Sequence, residues 1–157
     1  MKSYSIRYRF TQPFGVPAAM AYEWCTDFKP DDIARMGMKG TREVERLNDD
    51  TIVLTDKLQG EREGKRRLVR LNPDRLSWTS THLTGSNRFS QFWYRIDPNG
   101  PDESRLEFTG LQVNYGEPPA LARIAEMANE LAIVDSGDWL LLAKEMHKEL
   151  RESGRRK

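Results

Sequence analysis

The sequence contains one cysteine, Cys25, among 157 residues. A lone thiol closes no internal disulfide, and with two histidines in the whole chain there is no cluster of soft metal ligands. No apolar run approaches the roughly 20 residues of a membrane-spanning helix, and Met1–Arg7 lacks the apolar core of a signal peptide. Charge of one sign is missing too. The 25 basic and 24 acidic residues leave a formal +1, so nothing draws the whole chain towards nucleic acid or an anionic membrane. The basic clusters Arg62–Arg70 and Arg151–Lys157 read as a solvated strand face and a terminal tail. Phosphate loops, nucleotide fingerprints and paired zinc ligands are also absent. The expectation is a cytoplasmic protein with no metal, no cofactor, no nucleic-acid partner and no integral membrane segment, as monomer or homodimer.

What is present is organised around Pro118–Ser153. Leu121, Ile124, Ala128, Leu131, Ala132, Trp139, Leu142, Met146 and Leu150 recur at helical spacing, with Arg123, Glu126, Glu130, Lys144 and Lys148 towards the opposite side. Pro118-Pro119 suits a helix start, because a first-turn residue has no N–H partner to lose. The Asp135-Ser136-Gly137-Asp138 stretch predicts a bend or a restart, since glycine weakens a helix interior by about 1 kcal/mol and Asp or Ser caps a new one.

Before that helix the pattern is mostly period two. Ser3–Gln12 alternates Tyr4, Ile6, Tyr8 and Phe10 with polar residues and is closed by Pro13. Pro17–Phe28 and Pro30–Met36 read as two short helices, the second ending at Gly37. Thr41–Leu47, Thr51–Leu58, Lys65–Leu71, Arg75–Leu83, Arg88–Ile96 and Glu103–Tyr115 read as six strands joined by short turns, an antiparallel meander. A three-residue loop at Gly85–Asn87 places Trp78 and His82 on one face with Phe92, Tyr94 and Ile96, whereas a two-residue loop selects Phe89 and Trp93. The apolar set changes phase at Gly110 in the last strand, which predicts a bulge there. One domain over 1–153 follows, with 154–157 as a disordered tail.

The order of strand, two helices, six strands and long amphipathic helix resembles the START-like superfamily, which includes pollen-type allergens, lipid-transfer domains and polyketide cyclases. Phe10–Pro17 followed by an Ala-rich helix with Trp24 resembles the entry of that family, and Pro73-Asp74-Arg75-Leu76-Ser77-Trp78 its turn into a central strand. The resemblance implies an α+β helix-grip fold: a curved antiparallel sheet of about seven strands wrapped around the C-terminal helix, with an internal cavity. It also implies a hydrophobic small-molecule ligand of lipid, polyketide or isoprenoid type.

Polar residues on apolar faces are the sites where chemistry is expected. Asp135 lies in the apolar arc of the long helix, where an unpaired carboxylate costs several kcal/mol, so it reads either as an acid/base group or as a cap at Gly137. His82 alternates in phase with Leu76 and Trp78 and titrates near neutral pH, the second acid/base candidate, or else an exposed strand-end residue. Asp56 shares a face with Ile52, Leu54 and Leu58, facing a ligand or pairing with the Arg66/Arg67 strand. Arg88 suits a ligand carboxylate or solvent. Trp24, Phe28, Trp78, Phe92, Tyr94, Phe108, Tyr115, Met127 and Leu131 are core residues that would line a helix-grip cavity. Three functions remain open: a binding protein, a cyclase/dehydratase-type enzyme using Asp135 and His82, and a protein-interaction module. Cys25, with no histidine near it in sequence, reads as buried.

Overall fold

The computed structural model describes residues 1–155. Seven strands and three helices follow in the order β1 (Ser3–Phe14), α1 (Ala18–Thr26), α2 (Asp32–Arg35), β2 (Gly40–Asn48), β3 (Thr51–Leu58), β4 (Lys65–Asn72), β5 (Ser77–His82), β6 (Gln91–Pro98), β7 (Ser104–Tyr115) and α3 (Leu121–Arg155). They form one antiparallel sheet ordered β1-β7-β6-β5-β4-β3-β2. The six strands from β2 to β7 are a pure meander, and β1 closes onto β7.

Burial follows the alternation. Ile6, Tyr8, Gln12 and Phe14 of β1 are buried, while Ser5, Arg7, Arg9 and Thr11 between them are exposed. Contrary to expectation, Pro13 does not end β1. It pairs with Arg105, because β1 is an edge strand and one side of its backbone needs no ladder donor. Between β4 and the central strand β5 a short 3-10 turn, Pro73–Arg75, delays β5 to Ser77.

The β5–β6 register is the expected one. Trp78 faces Tyr94, Ser80 faces Phe92, and the His82 N–H donates to the Ser90 carbonyl. The strands themselves stop at His82 and resume at Gln91, so the connection is longer than the predicted loop while keeping its phase. The bulge predicted at Gly110 is absent: β7 runs in unbroken register with both β1 and β6. The phase change has another cause. Beyond Gly110 the inward face of β7 turns polar, with Gln112 and Asn114, while the apolar residues Leu111, Val113 and Tyr115 take the outer face.

α3 is a single helix of 35 residues, about 52 Å at 1.5 Å per residue. The break expected at Gly137 does not occur. Neither neighbour acts as a cap: Asp135 is engaged by β1, and the Ser136 hydroxyl donates back to the Ile133 carbonyl. The helix also continues past the predicted tail start at Gly154; residues 156–157 of that tail lie outside the described residues.

The two halves of α3 are held differently. Ala143 and Met146 are buried in the main core with Phe14, Ile52, Leu54 and Leu106. Ala128, Leu131 and Ala132 only cover a smaller cluster of Tyr8, Phe92 and Phe108. Buried apolar area is the main favourable term in folding, so the C-terminal half is the anchor.

Candidate functional site

The interior of the grip is aromatic. Trp78 and Tyr94 stack with centroids 4.6 Å apart, and Trp139 from α3 lies 5.8 Å from Tyr94 and 6.5 Å from Trp78. Phe108 contacts Tyr8, Phe10, Phe92 and Tyr94 at 4.4–5.9 Å. Period-two alternation puts these rings on one face of the sheet, and Phe92, Tyr94, Phe108 and Trp78 occupy the places the sequence predicts. Trp24 and Phe28 pack against the main core from the α1 side. The Trp24 indole N–H donates to Glu149 at 2.6 Å, and Glu149 also receives Arg35. Leu131 covers the smaller cluster, and Met127 is half-buried on the same helix.

Asp135 reaches into this interior. Its Oδ2 accepts the Tyr8 hydroxyl at 2.5 Å. Burial raises the Asp135 carboxyl above the ordinary carboxylate range; the Tyr8 bond opposes that rise and the Asp138 charge adds to it. Burial and the same carboxylate push the Tyr8 hydroxyl far up, so Tyr8 is a neutral donor at every physiological pH. Tyr8 was missed as a functional residue in the sequence. The signal was a hydroxyl in an alternating apolar strand, which must find a partner once buried.

Room for the Tyr8 ring comes from Gly110. A Cβ there would stand 2.6 Å from Tyr8 Cε1 and 3.0 Å from Phe108 Cε1. The glycine that looked like a bulge is thus a seat for the ring that holds Asp135.

His82 sits on the same inward face, 5.0 Å from the Phe92 ring. Burial, together with the Arg67 and Lys65 cations, pushes it down to about 4, so the imidazole is neutral at physiological pH. Beside it on β5, Ser80 is 3% exposed and faces Phe92. Its Oγ has no hydrogen-bond partner among the described residues. Burial pushes the Tyr94 hydroxyl up to about 12, with Arg67 pulling it down and Asp135 pushing it up.

Asp56 is tied into an ion network rather than left facing a ligand. Arg42 donates to both of its oxygens at 2.7 and 2.8 Å, and Arg67 adds a third bond at 3.1 Å. Burial works to raise this carboxyl, but the two guanidiniums outweigh it and hold Asp56 below its ordinary value. Arg42 also reaches Asp32 on α2 at 2.9 Å. The pairing of Asp56 with the Arg66/Arg67 strand is the one the sequence offered, whereas Arg42 was not singled out there, because a charge on a polar strand looks solvated.

Two predicted ligand contacts lie elsewhere. Tyr115 is on the face of β7 opposite Phe108, where its hydroxyl donates to the Arg88 carbonyl. The Arg88 guanidinium lies 4.1 Å over the Tyr115 ring, so the two satisfy each other outside the grip. Burial pushes the Cys25 thiol up, away from thiolate chemistry. Among the described residues no group of three or more His, Cys, Asp or Glu forms a metal site. No helix among the described residues is long and apolar enough to cross a membrane. A concavity of about 430 Å³ is an open groove outside the grip, lined by Lys144, His147, Lys148, Arg151 and Glu152.

No family model matches the sequence, and no curated protein matches it. Solved structures do. The Zhui aromatase/cyclase from Streptomyces sp. R1128 has a TM-score of 0.74 at 14% identity, covering 96% of this chain and 99% of that one. A START superfamily protein from Mycobacterium smegmatis gives 0.63 at 16%, covering 90% and 99%. Norcoclaurine synthase from Thalictrum flavum gives 0.60 at 11%, covering 89% and 88%. At these identities the likeness is one of fold: the chain has the helix-grip fold of START-like proteins.

Proposed function

We propose that this protein binds an apolar small molecule with a polar end, of lipid, polyketide or isoprenoid type, between its sheet and α3. The observation that carries this reading is the Ser80 hydroxyl, buried on the inward face with no protein partner. Leaving such a group unsatisfied costs about 1–3 kcal/mol, a cost that an oxygen on a bound ligand removes. Around it stand neutral His82 and the rings of Trp78 and Phe92, an apolar lining with a few orienting polar groups. The ligand enters beneath the N-terminal half of α3, the half with the lighter anchorage.

Native mass spectrometry of the purified protein, followed by denaturing extraction, tests this. An apolar compound carrying at least one oxygen is expected to co-purify, and Ser80→Val to lose it while keeping the fold. An apo mass, with no uptake of the apolar dye anilinonaphthalene sulfonate, would sink the reading.

The Tyr8–Asp135 pair favours a second reading, turnover of the cyclase/dehydratase class. The His82 imidazole takes a proton from the acidic carbon between two ligand carbonyls, that carbon bonds to a third carbonyl carbon to close a ring, and the imidazolium returns the proton to the resulting alkoxide. His82 then takes the second proton from the same carbon while Asp135, in its protonated form, gives its proton to the hydroxyl, which leaves as water as the carbon–carbon double bond forms. Solvent carries the proton from His82 back to Asp135. Asp135→Asn and His82→Gln are each expected to abolish conversion of a poly-β-ketone substrate with binding retained. Unchanged conversion removes both residues from the chemistry.

A further inference from the structure

The outward side of α3 carries a pattern that the ligand site does not use. Counted from Gly137 at about 100° per residue, Ile133, Val134, Leu140 and Leu141 fall within one stripe. Their exposures are 72%, 61%, 47% and 65%. Gly137 itself faces open space, with nothing within 4 Å of where its Cβ would stand. The same stripe continues through Glu130 and Glu126 on the N-terminal side and through Lys144 and Lys148 on the C-terminal side, all exposed.

We infer that this stripe is the interface of a two-fold homodimer in which the α3 helices of two copies pack antiparallel, crossing at Gly137. The reason for a second copy, rather than some other protein, is that the stripe is complementary to its own reverse. With the axis at Gly137, Ile133 faces the partner's Leu141 and Val134 faces the partner's Leu140. Glu130 faces the partner's Lys144, and Glu126 faces the partner's Lys148. Each contact occurs twice, as an isologous interface requires. The absent side chain at Gly137 lets the backbones approach at the crossing, while the acid and basic arms fix the antiparallel direction. One position pairs like charges: Arg123 faces the partner's Arg151. Arg123 is already held within its own helix by Glu126 at 3.0 Å and Glu130 at 2.9 Å. The seam from Glu126 to Lys148 is about 33 Å, some six helical turns.

Sedimentation velocity over a concentration series is the test, with three variants. Wild-type protein is expected to dimerise in the micromolar range. Gly137→Glu puts two like charges on the axis without touching the monomer core, and is expected to weaken dimerisation by about tenfold or more, with an undiminished melting temperature. Glu126→Lys/Glu130→Lys and Lys144→Glu/Lys148→Glu are each expected to be monomeric alone and to form a heterodimer when mixed. Rescue on mixing is something that a merely misfolded variant cannot give. A wild-type chain that stays monomeric at about 200 µM overturns the proposal, as does a wild-type dimer that both charge variants leave intact. Sedimentation of a monomeric chain with anionic phosphatidylserine vesicles would assign the stripe to a membrane surface instead.

Discussion

Gly110 is the residue on which the inner geometry turns. It lies in regular strand, so its value is space rather than backbone freedom: a Cβ would press on the Tyr8 ring at 2.6 and 2.8 Å. That ring has no easy retreat, since it touches Phe108 and its hydroxyl is fixed on Asp135. Gly110→Ala is therefore expected to cost about 1–3 kcal/mol as overpacking, read as a lower urea midpoint with an unchanged slope. An unchanged midpoint would mean that the ring moves freely and that Asp135 is not rigidly held. Asp135 illustrates how far sequence reading goes at this scale. Its helical phase placed it correctly towards the sheet, but periodicity names a face and not a partner. The partner is Tyr8, which is 127 residues away in the chain. Asp56 was more legible: its face and its pairing with the Arg66/Arg67 strand could be read, while Arg42 on the other neighbouring strand became visible only with the strand register.

At the scale of elements the sequence was more informative, because strands and helices are set by short-range periodicity. All seven strands, the pair of short helices and the long α3 appear in the expected order. The errors fall where tertiary context overrides local preference. Pro13 remains in β1 because that strand is an edge, a fact no local pattern contains. Gly137 remains helical because the turns on either side are held by packing on the sheet. Its intrinsic penalty is not erased, only outweighed, and this gives a measurable consequence. With open space around the missing Cβ, Gly137→Ala meets no obstacle. It is expected to raise stability by roughly 0.5–1 kcal/mol, measured by thermal melting in dilute solution. A decrease would show that the backbone at Gly137 is not ordinary helix.

For the whole molecule, the balance of buried titratable groups decides how stability follows pH. His82 is pushed down to about 4 in the folded chain, against an ordinary value of about 6.5 when unfolded. Between those values the unfolded chain binds a proton that the folded chain refuses, so acidification through this window favours unfolding. Asp135 acts with the opposite sign. Its raised carboxyl takes up a proton in the folded chain first, so it adds stability as pH falls towards the ordinary carboxylate value. Asp56, held low against burial by Arg42 and Arg67, and Glu149, held low against burial by the Trp24 N–H and Arg35, lose their contribution only at lower pH, as the folded chain is forced to protonate them. The first loss on acidification thus belongs to His82, with Asp135 opposing it. His82→Gln keeps a polar side chain of similar size but cannot take up the proton. The expected result is a urea midpoint that changes less between pH 7 and about 5 than in the parent. Asp135→Asn should steepen the parent's dependence, because it removes the opposing term. Parallel pH curves for parent and His82→Gln would mean that the imidazole is solvated, and would remove it from the grip interior.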